Sequence, residues 1–179
     1  MGLSEAAAGA DSELVRQLGE MAITCENLIG SDDLPDVLHR LAQRARDVAQ
    51  ASYAAISTFD DQGVMTRFVF SGMGEAQARR LGAPPTGRGL LGELADLDEP
   101  FRLDDVRADP RFTGWPGGHP EMGAFLGVPI RADGRTIASF YMTRETGREP
   151  FSDAEVAAAA VLGLQAAAVV SLAVARERS

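Results

Sequence analysis

A run of twenty residues without charge, 156–175, constrains the fold of this chain more than any other feature. Its length could span a bilayer. However, nine of the twenty residues are alanine, a glycine, a glutamine and a serine interrupt the run, and no tryptophan or tyrosine marks either end. This composition favours a close-packed helix of a soluble protein. Because Phe151-Ser152-Asp153 supplies a good helix cap, we expect one helix from there to about Glu177 and no membrane partner.

Composition indicates one acidic globular domain. Of the 179 residues, 45% are hydrophobic, which is enough for the core of one domain. We expect that domain at 13–179, after a disordered, Ala/Gly-rich N-terminus at 1–12. The formal net charge of −9 makes nucleic acid an unfavourable partner, because an acidic surface repels phosphate backbones. The single cysteine, Cys25, excludes an intrachain disulfide, and no signal-peptide pattern precedes it. These features predict a cytoplasmic protein.

The hydrophobic period changes twice along the chain. Helical spacing predicts helices at 13–29 and from about residue 31 to Gln50. Strand patterns follow in two pairs, 52–59 with 64–70 and 124–131 with 135–143, and Asp/Gly turns join each pair. The stretch between the pairs predicts short helices at 75–81 and 90–97 and a strand at 100–103. We therefore predict an α+β fold: an antiparallel sheet of about six strands, with N- and C-terminal helices packed on one face and a helix/loop excursion on the other.

Four motifs occur in the order and spacing typical of one family. They are Gly87-Arg88-Gly89-Leu90-Leu91-Gly92, Arg102-Leu103-Asp104-Asp105, Phe125-Leu126-Gly127-Val128-Pro129-Ile130 and Pro150-Phe151-Ser152-Asp153. On these motifs the chain resembles GAF domains over about residues 30 to 178. The resemblance implies a sensory or signalling module that holds a small-molecule ligand, forms a homodimer through its terminal helices and acts on a downstream signalling protein. The chain would either bind that partner directly or be the input domain of a longer protein.

Within that family, the chain is most similar to the haem-binding GAF domains of dormancy-type gas- and redox-sensing histidine kinases. His119-Pro120-Glu121-Met122 matches their motif in which the histidine is the proximal haem ligand, and Tyr141 stands where their distal tyrosine lies. Neutral imidazole is a good iron ligand, and a phenol can hydrogen-bond to bound oxygen. The resemblance therefore implies haem as cofactor and His119 as its metal ligand. Alternation along the two strands predicts Phe125, Leu126, Phe140 and Met142 as pocket walls. The predicted cofactor-binding residues are His119, Met122, Phe125, Leu126, Phe140 and Tyr141.

Two other interpretations stay open, because the chain departs from the haem-binding pattern at Gly118 and Glu121. In the first, the same pocket holds a different small ligand. In the second, the domain has no ligand and serves dimerisation and protein interaction, with His119 fixing a loop and Tyr141 lying in the core.

Other ligands and enzyme activity are less compatible with the sequence. Cyclic-nucleotide-binding GAF domains often carry Asn-Lys where this chain has Thr143-Arg144, so we expect their paired Lys–Asp contact to be absent. Bilin attachment and free methionine sulfoxide reduction need cysteines that Cys25 alone does not supply. We expect Asp104-Asp105 to cap a turn rather than bind a metal. Since no catalytic motif is present, the prediction is no enzyme.

Overall fold

The computed structural model describes residues 33–74, 76, 79, 90–93, 97–115 and 117–177. The helix predicted at 13–29 and most of the one predicted at 75–81 lie outside these residues. In chain order the elements are α1 (Leu34–Val48), β1 (Tyr53–Phe59), β2 (Met65–Ser71), α2 (Leu90–Glu93), β3 (Phe101–Leu103), a 3₁₀ helix (Val106–Ala108), β4 (Met122–Ala132), β5 (Arg135–Glu145) and α3 (Asp153–Glu177).

The described strands form one sheet in the order β2-β1-β5-β4-β3, and every neighbouring pair is antiparallel. This confirms the α+β class. The described part of the sheet has five strands, one fewer than the approximate number expected. β5 lies at the centre, between its hairpin partner β4 and β1 of the first hairpin.

Turn chemistry forms both hairpins where the sequence predicts them. After β1, the Asp60 carboxylate accepts hydrogen bonds from the backbone N–H groups of Gln62 and Val64, each at 2.9 Å. Between β4 and β5, Asp133 and Gly134 adopt φ values of +50° and +77°. Aspartate tolerates this left-handed region and glycine favours it, so the two residues close a tight turn.

α1 and α3 pack on one face of the sheet and enclose the larger hydrophobic core. α1 contributes the apolar stripe expected from its sequence, including Leu38 and Leu41. Ile56 on β1 lies in the same cluster. Gly163 brings α3 close to β4, because a Cβ added there would lie 3.1 Å from Cγ1 of Val128.

The opposite face carries a second hydrophobic cluster, here called the open-face cluster. Its buried members are Ala55, Val106, Phe125 and Tyr141, and partly buried side chains pack on them from β2, β3 and the connection between β2 and β4: Phe68, Phe70, Leu91, Leu97, Phe101, Leu103, Phe112 and Trp115. The described parts of the β2–β4 connection therefore lie on the face that the helices leave free.

α3 leaves an apolar stripe exposed on its outer side. Among the described residues, Asp153–Arg176 is the one segment long and apolar enough to cross a membrane by length and composition, and 33% of its most apolar window is buried within the fold. Its inner side packs on α1 and β4. Its outer side exposes Leu164 by 77%, Val161 by 38% and Leu172 by 39%.

Candidate functional site

Tyr141 lies at the floor of the open face, at the centre of the sheet. β5 places it opposite Ala55 on β1 and Gly127 on β4, and only 4% of it is exposed. Its hydroxyl is 2.6 Å from Oγ of Ser57, and the Phe68 ring stacks on it with a centroid distance of 6.0 Å.

Burial raises the pKa of Tyr141 to about 12, although the hydrogen bond with Ser57 opposes the shift. Burial disfavours the phenolate because the charged form loses its hydration. The phenol therefore stays protonated at neutral pH and can donate a hydrogen bond.

His119 lies in the loop before β4 and is half-buried. Its Nδ1 is 2.7 Å from the carbonyl oxygen of Pro120, which can only accept, so Nδ1–H is the donor; in the neutral ring the lone pair then lies on Nε2. The His119 ring stacks on Trp115, with centroids 4.6 Å apart and planes 5° apart. Trp115 in turn meets the edge of Phe112 at 4.8 Å.

This aromatic stack joins His119 to the open-face cluster. Trp115 and Phe112 both pack against the cluster that contains Phe125 and Tyr141. Met122 is buried, and its sulfur accepts a hydrogen bond from the Thr143 hydroxyl at 3.0 Å. The structure thus sets His119, Phe125 and Tyr141 around one face of the sheet.

Leu126 and Phe140 lie on the other face. Both are fully buried in the helix-side core, together with Met142. Consecutive strand residues point to opposite faces, so Leu126 cannot share a face with Phe125, nor Phe140 with Tyr141. The interpretation that placed them on the walls of one pocket misapplied this alternation, and we leave both out of the candidate site.

Three neighbours of the site were not predicted from the sequence. Phe68 and Ser57 reach Tyr141 only through the pairing of β1 with β2 and β5, which no local pattern reveals. Trp115 carried a signal that could have been used, since it is the only tryptophan of the chain and lies four residues before His119.

Arg144 forms a buried link at the end of β5. It is 7% exposed and donates hydrogen bonds to the carbonyl oxygens of Ala49 at 3.0 Å and Glu149 at 2.9 Å. Its Nη2 lies 2.5 Å from Oε1 of Glu155, and its guanidinium lies 4.4 Å from the centroid of the Phe151 ring. One side chain thus connects β5 with the end of α1 and the first turn of α3.

Arg144 and Glu155 form a basic–acidic pair where the Lys–Asp contact of cyclic-nucleotide-binding GAF domains was expected to be absent. This pair was not predicted from the sequence. Burial alone would raise the pKa of Glu155, yet hydrogen bonds from Ser152 and Arg144 outweigh it and hold that pKa below its usual value. The pair is therefore charged at neutral pH.

The acidic pair after β3 has the structural role expected of it. Asp105 accepts a hydrogen bond from the backbone N–H of Arg107 at 3.0 Å and caps the 3₁₀ helix. Within the described ranges, no group of three or more histidine, cysteine, aspartate or glutamate side chains is arranged to hold a metal ion.

Known proteins match this chain in both sequence and fold. A sequence profile of the GAF domain matches residues 31–171. The GAF domain of a phosphoenolpyruvate-protein phosphotransferase from Coxiella burnetii superposes with a TM-score of 0.73 at 22% identity, covering 91% of this chain and 97% of that one. The GAF domain of a putative sensor histidine kinase from Pseudomonas syringae pv. tomato gives 0.64 at 14% identity, covering 96% of both.

An enzyme shares the fold as well. Free methionine-R-sulfoxide reductase from Neisseria meningitidis superposes with a TM-score of 0.67 at 16% identity, covering 89% of each chain. Identity this low supports the fold alone. Reductase chemistry of that kind uses several thiols, and this chain has one cysteine.

Proposed function

Because the chain belongs to the GAF domain family, we propose that it is a sensory and signalling module that holds a small ligand on its open face and transmits the binding event to α3. The proposal rests on β5, which contacts both sides of the domain.

β5 connects the open face to the helices residue by residue. Tyr141 points to the open face, while Phe140 and Met142 on either side of it are buried against the helices. At the end of the strand, Arg144 holds Glu155 in the first turn of α3. A shift of the central strand would therefore displace the start of α3, because close-packed interiors transmit strain from one element to the next.

Haem is the ligand that we propose first. The donor chemistry of His119 fits, since Nδ1 is engaged by the Pro120 carbonyl and Nε2 retains the lone pair that an iron atom requires. The protonated Tyr141 would supply a hydrogen-bond donor on the same face of the sheet. Bound haem would supply an iron centre for a diatomic gas or for redox sensing.

An absorption spectrum of the purified chain with added hemin tests this assignment. We expect a Soret band that shifts on reduction and on addition of carbon monoxide. His119→Ala should abolish the band, whereas His39→Ala, at the only other histidine, should leave it unchanged. If the spectrum shows only free hemin, or if His119→Ala binds hemin as the parent does, the haem proposal fails and a different ligand must be sought.

The ligand-free alternative, a dimerisation module, is favoured by the outer stripe of α3. Exposed residues on this helix recur at alternating intervals of four and three, the spacing of helices that pack along a shared seam: Ala157, Val161, Leu164, Ala168, Ser171 and Ala175. We propose that this stripe pairs two copies of the chain, and that the signal passes through it to a downstream partner.

The cytoplasmic location expected from the sequence remains a prediction.

Light scattering after size-exclusion chromatography measures the proposed dimer. Leu164→Glu places a charge at the most exposed point of the stripe and should yield a monomer. Val64→Glu, which alters an exposed valine in the β1–β2 turn, is the matched control and should stay dimeric. A parent chain that is monomeric at all concentrations would contradict the pairing without bearing on ligand binding.

A further inference from the structure

A groove of about 650 Å³ runs between α1 and the edge strand β2. α1 contributes His39, Gln43 and Arg46 to it, and β2 with the turn that follows contributes residues 68–74. Tyr141 and His119 do not line the groove, but Phe68 does, and its ring stacks on Tyr141.

β2 presents an open edge to this groove. It is the outermost strand, and among the described residues no other strand pairs with its outer side. About half of its backbone N–H and C=O groups therefore point away from the sheet. β2 contains no proline, so no N–H group is missing from its outer edge, but its start carries Arg67 and a register shift opposite Thr58–Phe59. The strand can still accept a further strand.

The opposite wall of the groove is a row of hydrogen-bond donors. His39, Gln43 and Arg46 follow one another at intervals of four and three, so they lie on one face of α1. No acidic side chain is among the described residues that line the groove, although the chain as a whole carries a net charge of −9. Arg46 is thus the one permanently charged side chain among the described residues that line the groove.

Gly72 fixes the end of the groove next to Arg46. Its φ of +101° favours glycine, and a Cβ added there would lie 2.5 Å from the backbone oxygen of Ser52 and 3.4 Å from Cδ of Arg46. The stem of Arg46 therefore passes close over the turn after β2. Nη2 of Arg46 also lies 3.5 Å from Oδ1 of Asp47, but the two side chains are 35% and 61% exposed. A surface ion pair of this kind contributes little to stability.

We propose that this groove binds an extended peptide segment of a partner protein, which adds to β2 as a further strand and places an acidic side chain against Arg46. Backbone hydrogen bonds to β2 would supply affinity, and the donor row on α1 would supply specificity. β2 spans seven residues, about 23 Å of extended chain. An extended peptide uses that whole edge, whereas a small anion would use only the donor row. The proposal does not rest on the proposed function, although Phe68 lines the groove and also stacks on Tyr141.

A displayed library of random twelve-residue peptides, selected on the full chain and counter-selected on Arg46→Glu, tests the proposal. We expect the selected peptides to share an acidic position between alternating apolar residues. The synthesised peptide, measured by fluorescence anisotropy, should bind Arg46→Glu at least about tenfold more weakly than the parent. Arg40→Glu, an exposed arginine on the same helix outside the groove, should bind it as the parent does.

N-methylated peptides separate strand addition from simple charge attraction. Methylation at every second backbone nitrogen should abolish binding, while methylation of the intervening nitrogens should have little effect, because only one set pairs with β2. Three outcomes would overturn the proposal: no enriched peptide, equal affinity for Arg46→Glu, or equal effects of methylation at all positions. Arg46-dependent binding of inorganic phosphate without any peptide binding would also overturn it and assign the groove to small anions.

Discussion

Replacing Arg144 with methionine should lower the free energy of unfolding by about 3 to 5 kcal/mol, the cost of breaking a buried ion pair by removing one partner. Methionine keeps an apolar stem over the Phe151 ring but donates no hydrogen bond. Glu155, mostly buried, would lose its cation, and the carbonyl oxygens of Ala49 and Glu149 would lose their donors. The losses at Ala49 and Glu155 are the costly ones, because the bond to Ala49 is buried and the Glu155 side chain is only 17% exposed.

Urea unfolding followed by far-UV circular dichroism measures this loss. Arg144→Lys is the matched control: it keeps the charge but not the fork of donors, and it should lose about half as much. Adding Glu155→Gln to Arg144→Met should restore part of the stability, because no unpaired charge then remains.

Acidification gives a second readout of the same pair. The folded-state pKa of Glu155 is lowered. The stability that its ionised carboxylate contributes is therefore fully present above the ordinary glutamate pKa, and it is lost as the pH falls through the folded-state pKa. The stability gap between the parent and Glu155→Gln should therefore narrow between pH 7 and about pH 3. The reasoning is refuted if Arg144→Met costs less than about 1 kcal/mol at pH 7, or if this gap is the same at both pH values.

Three further predictions concern the sheet and its turns. Tyr141→Phe should cost about 1 to 2 kcal/mol in urea unfolding, since it leaves the buried Ser57 hydroxyl without its partner; a larger loss would indicate a packing role. Because the folded-state pKa of Tyr141 is about 12, the parent should lose stability as the pH rises above about 10, and Tyr141→Phe should lose less; parallel pH profiles would contradict this. Gly72→Ala should cost at least about 2 kcal/mol, because its Cβ would meet the Ser52 carbonyl at 2.5 Å, and a smaller loss of thermal stability would show that the turn relaxes. Asp60→Ala removes two hydrogen bonds from the β1–β2 turn and should cost about 1 to 2 kcal/mol by thermal unfolding, whereas Asp60→Asn should keep most of the stability.

Local chemistry was enough to predict the features that depend on neighbouring residues. Both hairpin turns follow from Asp and Gly at positions that require left-handed or side-chain-capped backbone. The stripe of α1 and the start of α3 follow from helical spacing and from capping. The role of Asp105 as a cap was predicted for the same reason.

Features that depend on strand order could not be predicted this way. No local pattern places β5 at the centre of the sheet, and therefore none brings Ser57 to Tyr141. The Arg144–Glu155 pair was missed because it forms only when α3 packs beside the end of β5. In contrast, the placement of Phe140 beside Tyr141 in one pocket was avoidable, since alternation alone separates them.

The period of two along β5 has a consequence for how the domain can vary. Residues that face the open side, such as Tyr141, alternate with residues that hold the helices, such as Phe140 and Met142. The side chains of the open face and those of the helix-side core thus occupy alternate positions of one strand. A lineage, or a library of variants, could therefore change the open-face side chains of β5 while conserving every side chain of the helix-side core.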